Sequence, residues 1–278
     1  MHFLNHFLTV AGVVAVALLL GAGVLHLLAR LRGRAAFVSA ALCRAPALDW
    51  VITYFTVLPL IVGPAVFGWA GFVGALAGQV LSVHVWIMIQ EWIYRDAVRG
   101  PRIVKVVNRI NGTARNHAAL WLTATVTPAL WLVRLIEIVV YPPLRLLVRF
   151  PKYNQGDWVN VSRHKFSGLV GHDLIWCLYC DWMTGVWSLG TEMLRNVESF
   201  WCPIRFDNEK KCANCAVDFP DVQLGWVHAG GNMREVTETL EKMHSNGFHG
   251  WFGHPARLTV KGAPHLLETA RETGVPRG

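Results

Sequence analysis

Two CxxC pairs carry the clearest chemical signal in the chain. Cys177 and Cys180 form the first, Cys212 and Cys215 the second, with 31 residues between them. Four thiolates brought together satisfy the tetrahedral preference of zinc, and a closed four-cysteine site is structural rather than catalytic. On a helix, Cys177 and Cys180 share a face at i,i+3. A turn holding Cys212 and Cys215 then closes over them, with Lys210 and Lys211 offsetting part of the negative charge. Iron or an iron–sulfur cluster is the alternative occupant, although the usual cluster spacings are not reproduced. A dithiol redox pair or buried, inert thiols are further alternatives.

Cys202, which heads the run Cys202-Pro203-Ile204-Arg205-Phe206, gives five candidates for four ligand places. His172, five residues before the first pair, is another candidate ligand, with core hydrogen bonding as the plainer role. Cys43 has no partner nearby in sequence and reads as an ordinary small apolar residue. His244, His249 and His254 recur every five residues, which does not place them on one helix face. Glu192 and Glu198 each lie three residues from Arg195 and read as a salt-bridged helix face. No G-x-S-x-G, Walker A, HExxH or GxGxxG pattern occurs, so no residue is assigned a catalytic role and enzymatic status stays open.

These residues are preceded by membrane-like sequence. The 278-residue chain is 53% hydrophobic and only 16% charged. Its formal charge of +8 is not spread evenly. Residues 1–150 hold 13 Lys and Arg against four acids, whereas residues 151–278 hold 13 against 14. The excess flanks apolar stretches, the positive-inside pattern of membrane loops rather than a nucleic-acid footprint. Phe7–Ala29 is 23 residues without a charge, long enough to span. No Lys or Arg precedes it and three arginines follow, so it reads as an uncleaved span rather than a signal peptide.

Trp50–Gln90 runs 41 residues without a charge and overshoots any bilayer as one helix. Gly63-Pro64 predicts a turn between spans at about 47–62 and 68–90. The second contains Gly74 and Gly78 at GxxxG spacing, which lets another helix approach closely. Basic loops at 30–46 and 91–116 place the N-terminus outside and both loops in the cytoplasm. Ala118–Val133 is only 16 uncharged residues, followed by Arg134 and Glu137, spaced to pair. The segment reads as an interfacial or re-entrant helix, with a fourth span as the alternative.

Three parts are therefore expected. Residues 1–116 form a three-span transmembrane region and residues 117–150 an interfacial or re-entrant segment. Residues 151–278 form a small cytoplasmic α+β Cys/His-rich metal-binding domain. Within it, Gly171–Ser199 is expected to be helical, broken or kinked near Gly185 and Gly190. Val222–His228 and Phe248–Val260 are expected to be strand-like. Asn232 with Glu235 predicts a capped helix running to about His244, and Pro264–Thr273 a last helix. Cytosolic thiols are kept reduced, so this topology favours zinc over disulfides. The function expected is that of an accessory or assembly subunit in the inner membrane, with lipid and a membrane protein as partners and no nucleic acid. A membrane-associated redox protein or metalloenzyme acting on a lipid-soluble substrate is the alternative.

Overall fold

A computed structural model describes residues 1–30, 36–208, 210–211 and 225–244. Most of these residues are helical. Three helical stretches are long and apolar enough to cross a membrane: His2–Ala29, Ala47–Ile93 and Thr113–Val148. Contacts divide the chain into two compact units, neither contiguous in sequence. The first is Met1–Pro128 with Gln155–Gly185, and the second is Ala129–Asn154 with Val186 onward.

The first unit opens with α1 (His2–Ala29), then α2 (Ala36–Leu42), α3 (Ala47–Thr56) and α4 (Leu58–Ile93). Ala47–Ile93 folds back on itself. As one straight helix it would put residues 55 and 79 about 36 Å apart at 1.5 Å per residue. Instead the Gln79 side-chain amide donates to the carbonyls of Phe55 (2.8 Å) and Thr56 (2.7 Å). The reversal sits at Phe67 and Gly68, at the far end of the connection expected between the spans at 47–62 and 68–90 rather than at its Gly63-Pro64 start. Gly68 has φ +55 and ψ −138, a conformation open essentially to glycine alone. Gly63 serves another purpose, since it lies against the backbone of Gly71 where any side chain would collide. Pro64 is carried inside the helical arm.

The GxxxG pair finds its partner within the chain. A Cβ on Gly74 would lie 2.8 Å from the Phe7 carbonyl, and one on Gly78 would lie 2.7 Å from that of Ala11. The missing side chains therefore let α1 and α4 approach closely, with Val10 and Ala11 buried in the contact. Two polar bonds tie α1 further to the hairpin: Tyr54 Oη donates to the Ala17 carbonyl (2.6 Å), and Trp86 Nε1 donates to His26 Nε2 (3.1 Å).

After α4 come the short helices α5 (Arg95–Arg99) and α6 (Ile103–Asn111), then α7 (Thr113–Ala124). Lys105 donates to the carbonyls of Val98, Arg99 and Gly100, capping the end of α5. The rest of the third apolar stretch is α8 (Thr127–Leu135), a π-helical turn at Ile136–Val140, and α9 (Tyr141–Val148). Beyond α10 (Gln155–Trp158), the long helix α11 (Gly171–Trp201) begins in the first unit and ends in the second. It is not broken at Gly185 or Gly190 as expected. Both glycines admit neighbours instead: Gly185 lies against Trp158 and Val159, and Gly190 lies against Val133 and Glu137.

In the second unit, Arg134 and Glu137 pair at 2.6 Å, and their side chains are 0% and 1% exposed. The i,i+3 pairing read from sequence is present, turned inward toward Gly190. Asn196 on α11 donates to Tyr141 Oη (3.3 Å) and to Tyr153 Oη. Tyr153 also contacts Glu192, and burial raises its phenol pKa above the ordinary range, reinforced by the Glu192 charge. The stretch 151–157 is thus partly packed into the fold.

The last described helix, α12 (Met233–His244), starts where its cap predicted. Asn232 Oδ1 accepts from the N–H groups of Arg234 (3.0 Å) and Glu235 (3.3 Å), and Asn232 Nδ2 donates back to Glu235 (3.0 Å). Among the described residues no strand forms. Backbone pairing is limited to isolated bridges, Arg44 with Asn160 and Ile204 with Val227. The expected elements at Phe248–Val260 and Pro264–Thr273 lie outside the described residues.

Candidate functional site: a histidine and tryptophan cavity

The first unit holds a cavity of about 290 Å³, close to the lower end of the ~300–1,000 Å³ usual for ligand pockets. Its wall comes from four places in the chain. Helix α4 gives His84, Ile87, Met88 and Glu91. The segment 102–108 gives Arg102, Val104 and Asn108. Helix α7 gives His117 and Trp121, and α11 gives His172 and Trp176. The rings pack on one another. His84 stacks on Trp121 (centroids 5.5 Å), His117 stacks on His172 (5.0 Å), and Trp121 meets Trp176 edge to face (5.5 Å).

A buried ion cluster fixes this wall. Arg102 Nε donates to Asp173 Oδ2 (3.0 Å), and its Nη2 donates to Glu91 Oε1 (2.8 Å) and to the Val170 carbonyl (3.2 Å). The Arg102 side chain is 5% exposed. Burial alone would lower its pKa, but the two carboxylates more than compensate and hold it above the ordinary value. Asp173 is balanced the same way. Burial pushes its pKa up, while His172, Arg102 and the Val104 N–H together bring it below the ordinary carboxylate value.

Side chains of α4 cap the start of α11. Gln90 Oε1 accepts from the Gly171 N–H (3.2 Å) and Glu91 Oε1 from the His172 N–H (3.1 Å). Carboxylate at a helix N-terminus suits both the orphan donors and the helix dipole. Gly171 has φ +54, and a Cβ there would strike Glu91, so this junction requires glycine on both counts.

No protein-family model, curated protein or solved structure matches this chain. The site must therefore be read from its own geometry. With one arginine against two carboxylates, the fixed charges leave the cavity without excess positive charge. It offers imidazole and amide groups for hydrogen bonding and two indoles for stacking. His84 also lines a second, apolar recess of about 540 Å³ along α4, with Phe7, Val73, Leu76, Ala77, Val80 and Leu81.

The expected cysteine ligand set lies only partly within the described residues. Cys177 and Cys180 lie one turn apart on α11 and are half-buried, as helical spacing required. Cys212 and Cys215 lie outside the described residues. Cys202 is exposed, just past the end of α11. Among the described residues no group of three or more His, Cys, Asp or Glu is arranged to hold a metal ion. Burial pushes the Cys177 thiol above its ordinary pKa, with Arg163 beside it partly opposing the shift. His172 lies in the cavity wall, its Nδ1 3.8 Å from Asp173. Cys43, which lacked a partner in sequence, has Sγ 4.0 Å from His164 Nε2.

Sequence reading missed His84, His117, Trp121 and Arg102 as a group. One signal was available: His84 is an ionisable residue inside an uncharged apolar run, and such residues mark functional sites in membrane proteins. Nothing in the spacing joined it to residues 33 and 88 positions further on.

Proposed function

We propose that this is a multi-pass protein of the cytoplasmic membrane that binds an amphipathic, lipid-soluble molecule, its compact polar head in the His/Trp cavity. This develops the class of membrane-associated proteins acting on lipid-soluble compounds. The carrying observation is that His84 lines both the His/Trp cavity and an apolar recess on a helix of the membrane hairpin. A head that is neutral, flat and able to accept hydrogen bonds suits stacked histidines and indoles. A phosphate head is disfavoured by the paired Glu91 and Asp173. The test uses the full chain in lipid nanodiscs titrated with a short-chain benzoquinone, read by tryptophan quenching. Saturable quenching that weakens in His84→Ala and Trp121→Ala supports the reading. Linear quenching identical in all three proteins overturns it.

The proposed topology has α1 and the two hairpin arms as spans. The basic loops and the C-terminal half are cytoplasmic, and residues 113–148 lie at the interface. Helix α11 supports the last point. It runs beside α7 in the first unit, through the His117–His172 and Trp121–Trp176 contacts, and beside residues 133–141 in the second. It carries Asp173, Asp181, Glu192, Arg195 and Glu198, a poor composition for crossing hydrocarbon. Labelling of Cys202 by a membrane-impermeant thiol reagent on intact cells would refute this arrangement.

A zinc site at Cys177, Cys180, Cys212 and Cys215 in an accessory subunit is the second reading. The shared helix face of the first two cysteines favours it. One zinc per purified chain, lost in Cys212→Ser/Cys215→Ser, supports it; metal-free protein rejects it.

A further inference from the structure

Helix α6 presents three different faces. Val104 and Asn108 line the cavity, the Val104 N–H donates to Asp173, and Asn108 accepts from Asn116 Nδ2 (2.7 Å). Ile103, Val106 and Ile110, spaced three and four residues apart, are 54%, 50% and 73% exposed. Such a stripe on a nine-residue helix is an apolar face left largely exposed by the described residues. Lys105 and Arg109, four residues apart, are exposed beside it. Arg95, Arg99 and Arg115 on the flanking helices are exposed as well, with Asp96 the acid among them. The helix lies between two of the apolar stretches able to cross a membrane, Ala47–Ile93 and Thr113–Val148.

We infer that α6 is a docking helix for an anionic lipid surface, with Ile103, Val106 and Ile110 among the acyl chains and the basic residues against the headgroups. An exposed apolar stripe bordered by cations is the pattern of helices lying in the interface. A neutral lipid would satisfy the stripe but not the charges. An acidic protein would satisfy the charges, but α6 is tied at both ends to stretches suited to the bilayer, which bring the lipid surface to it. The cavity reading is not required: α6 could dock on lipid whether or not the cavity holds a ligand.

The test is hydrogen–deuterium exchange of the full chain in nanodiscs of phosphatidylcholine alone, or with a third phosphatidylglycerol. Only this protein and lipid are present besides the scaffold. Peptides over 103–111 should exchange more slowly in the anionic discs. Arg95→Gln/Arg109→Gln should reduce that added protection by about five-fold for each charge removed. These two arginines are chosen because Lys105 caps α5, so that its loss could unfold the region. Ile110→Ser should speed exchange in both lipids. Exchange over 47–93 serves as the folding control and should not change. Equal protection in the two lipids overturns the proposal, as does protection that the double variant leaves unaltered.

Discussion

Replacing Arg102 with Met keeps most of its side-chain length and removes its charge. The two carboxylates are left facing each other. Asp173, with a side chain 6% exposed, loses its bond to Arg102 Nε, and Glu91, 28% exposed, loses its bond to Nη2. Breaking a buried ion pair by removing one partner costs roughly 3–5 kcal/mol. Asp173 keeps the Val104 N–H and Glu91 keeps the His172 N–H, so the lower end, about 3 kcal/mol, is expected. Arg102→Met/Asp173→Asn removes one stranded charge and should recover part of the loss. The assay is denaturant unfolding in mixed micelles, followed by tryptophan fluorescence as a function of pH. In the wild type the Asp173 pKa is lowered on folding, so its contribution is fully present above the ordinary value of 3.8. It is lost as pH falls below that, through the folded-state value. Without Arg102, burial meets less opposition and the folded-state pKa of Asp173 moves up toward the unfolded value. The loss of stability in acid should then be smaller in the variant than in the wild type. A variant as stable as the wild type, with the same acid limb, would refute the assignment of Arg102 as the brace of this cavity.

Gly78→Leu should separate α1 from α4, because a side chain there meets Ala11 and Val14. A loss of about 1–3 kcal/mol, read by thermal unfolding in detergent, is expected. Asn232→Ala removes the side-chain cap of α12 and should cost about 1 kcal/mol, seen as faster amide exchange over residues 233–244 while α1 is unchanged. In metal-free protein at neutral pH, alkylation mapped by mass spectrometry should reach exposed Cys202 well before Cys177. Burial raises the Cys177 pKa, so its thiolate fraction increases only under alkaline conditions.

Periodicity and composition located the elements whose signals are local. The uncharged run before Arg30 is a single helix, the Arg134–Glu137 spacing is an ion pair, and Asn232 with Glu235 is a capping box. Each depends on neighbours within a turn or on the absence of charge. The hairpin was legible as a necessity of length, and the reversal falls at the far end of the expected 63–68 turn rather than at its Gly63-Pro64 start. Gly-Pro is a generic turn signal, whereas the reversal uses Phe67 and Gly68, where the helical φ/ψ is interrupted and Gly68 adopts a positive φ. Gly185 and Gly190 misled in the opposite way. Glycine suggests a break when considered locally, but here it creates room for a neighbour.

By itself, the sequence determined an apolar, basic-flanked N-terminal half and two CxxC pairs, because hydrophobicity, charge and residue spacing are properties of the chain. Only the tertiary structure decided which polar residues meet. Arg102 reaches Asp173 across 71 positions, and His84, His117 and His172 share one wall although they belong to three helices. Such contacts depend on where α4, α7 and α11 cross. That is set by close packing such as Gly171 against Glu91 and by the Gln90 and Glu91 side chains capping α11, and no spacing rule along the chain records it.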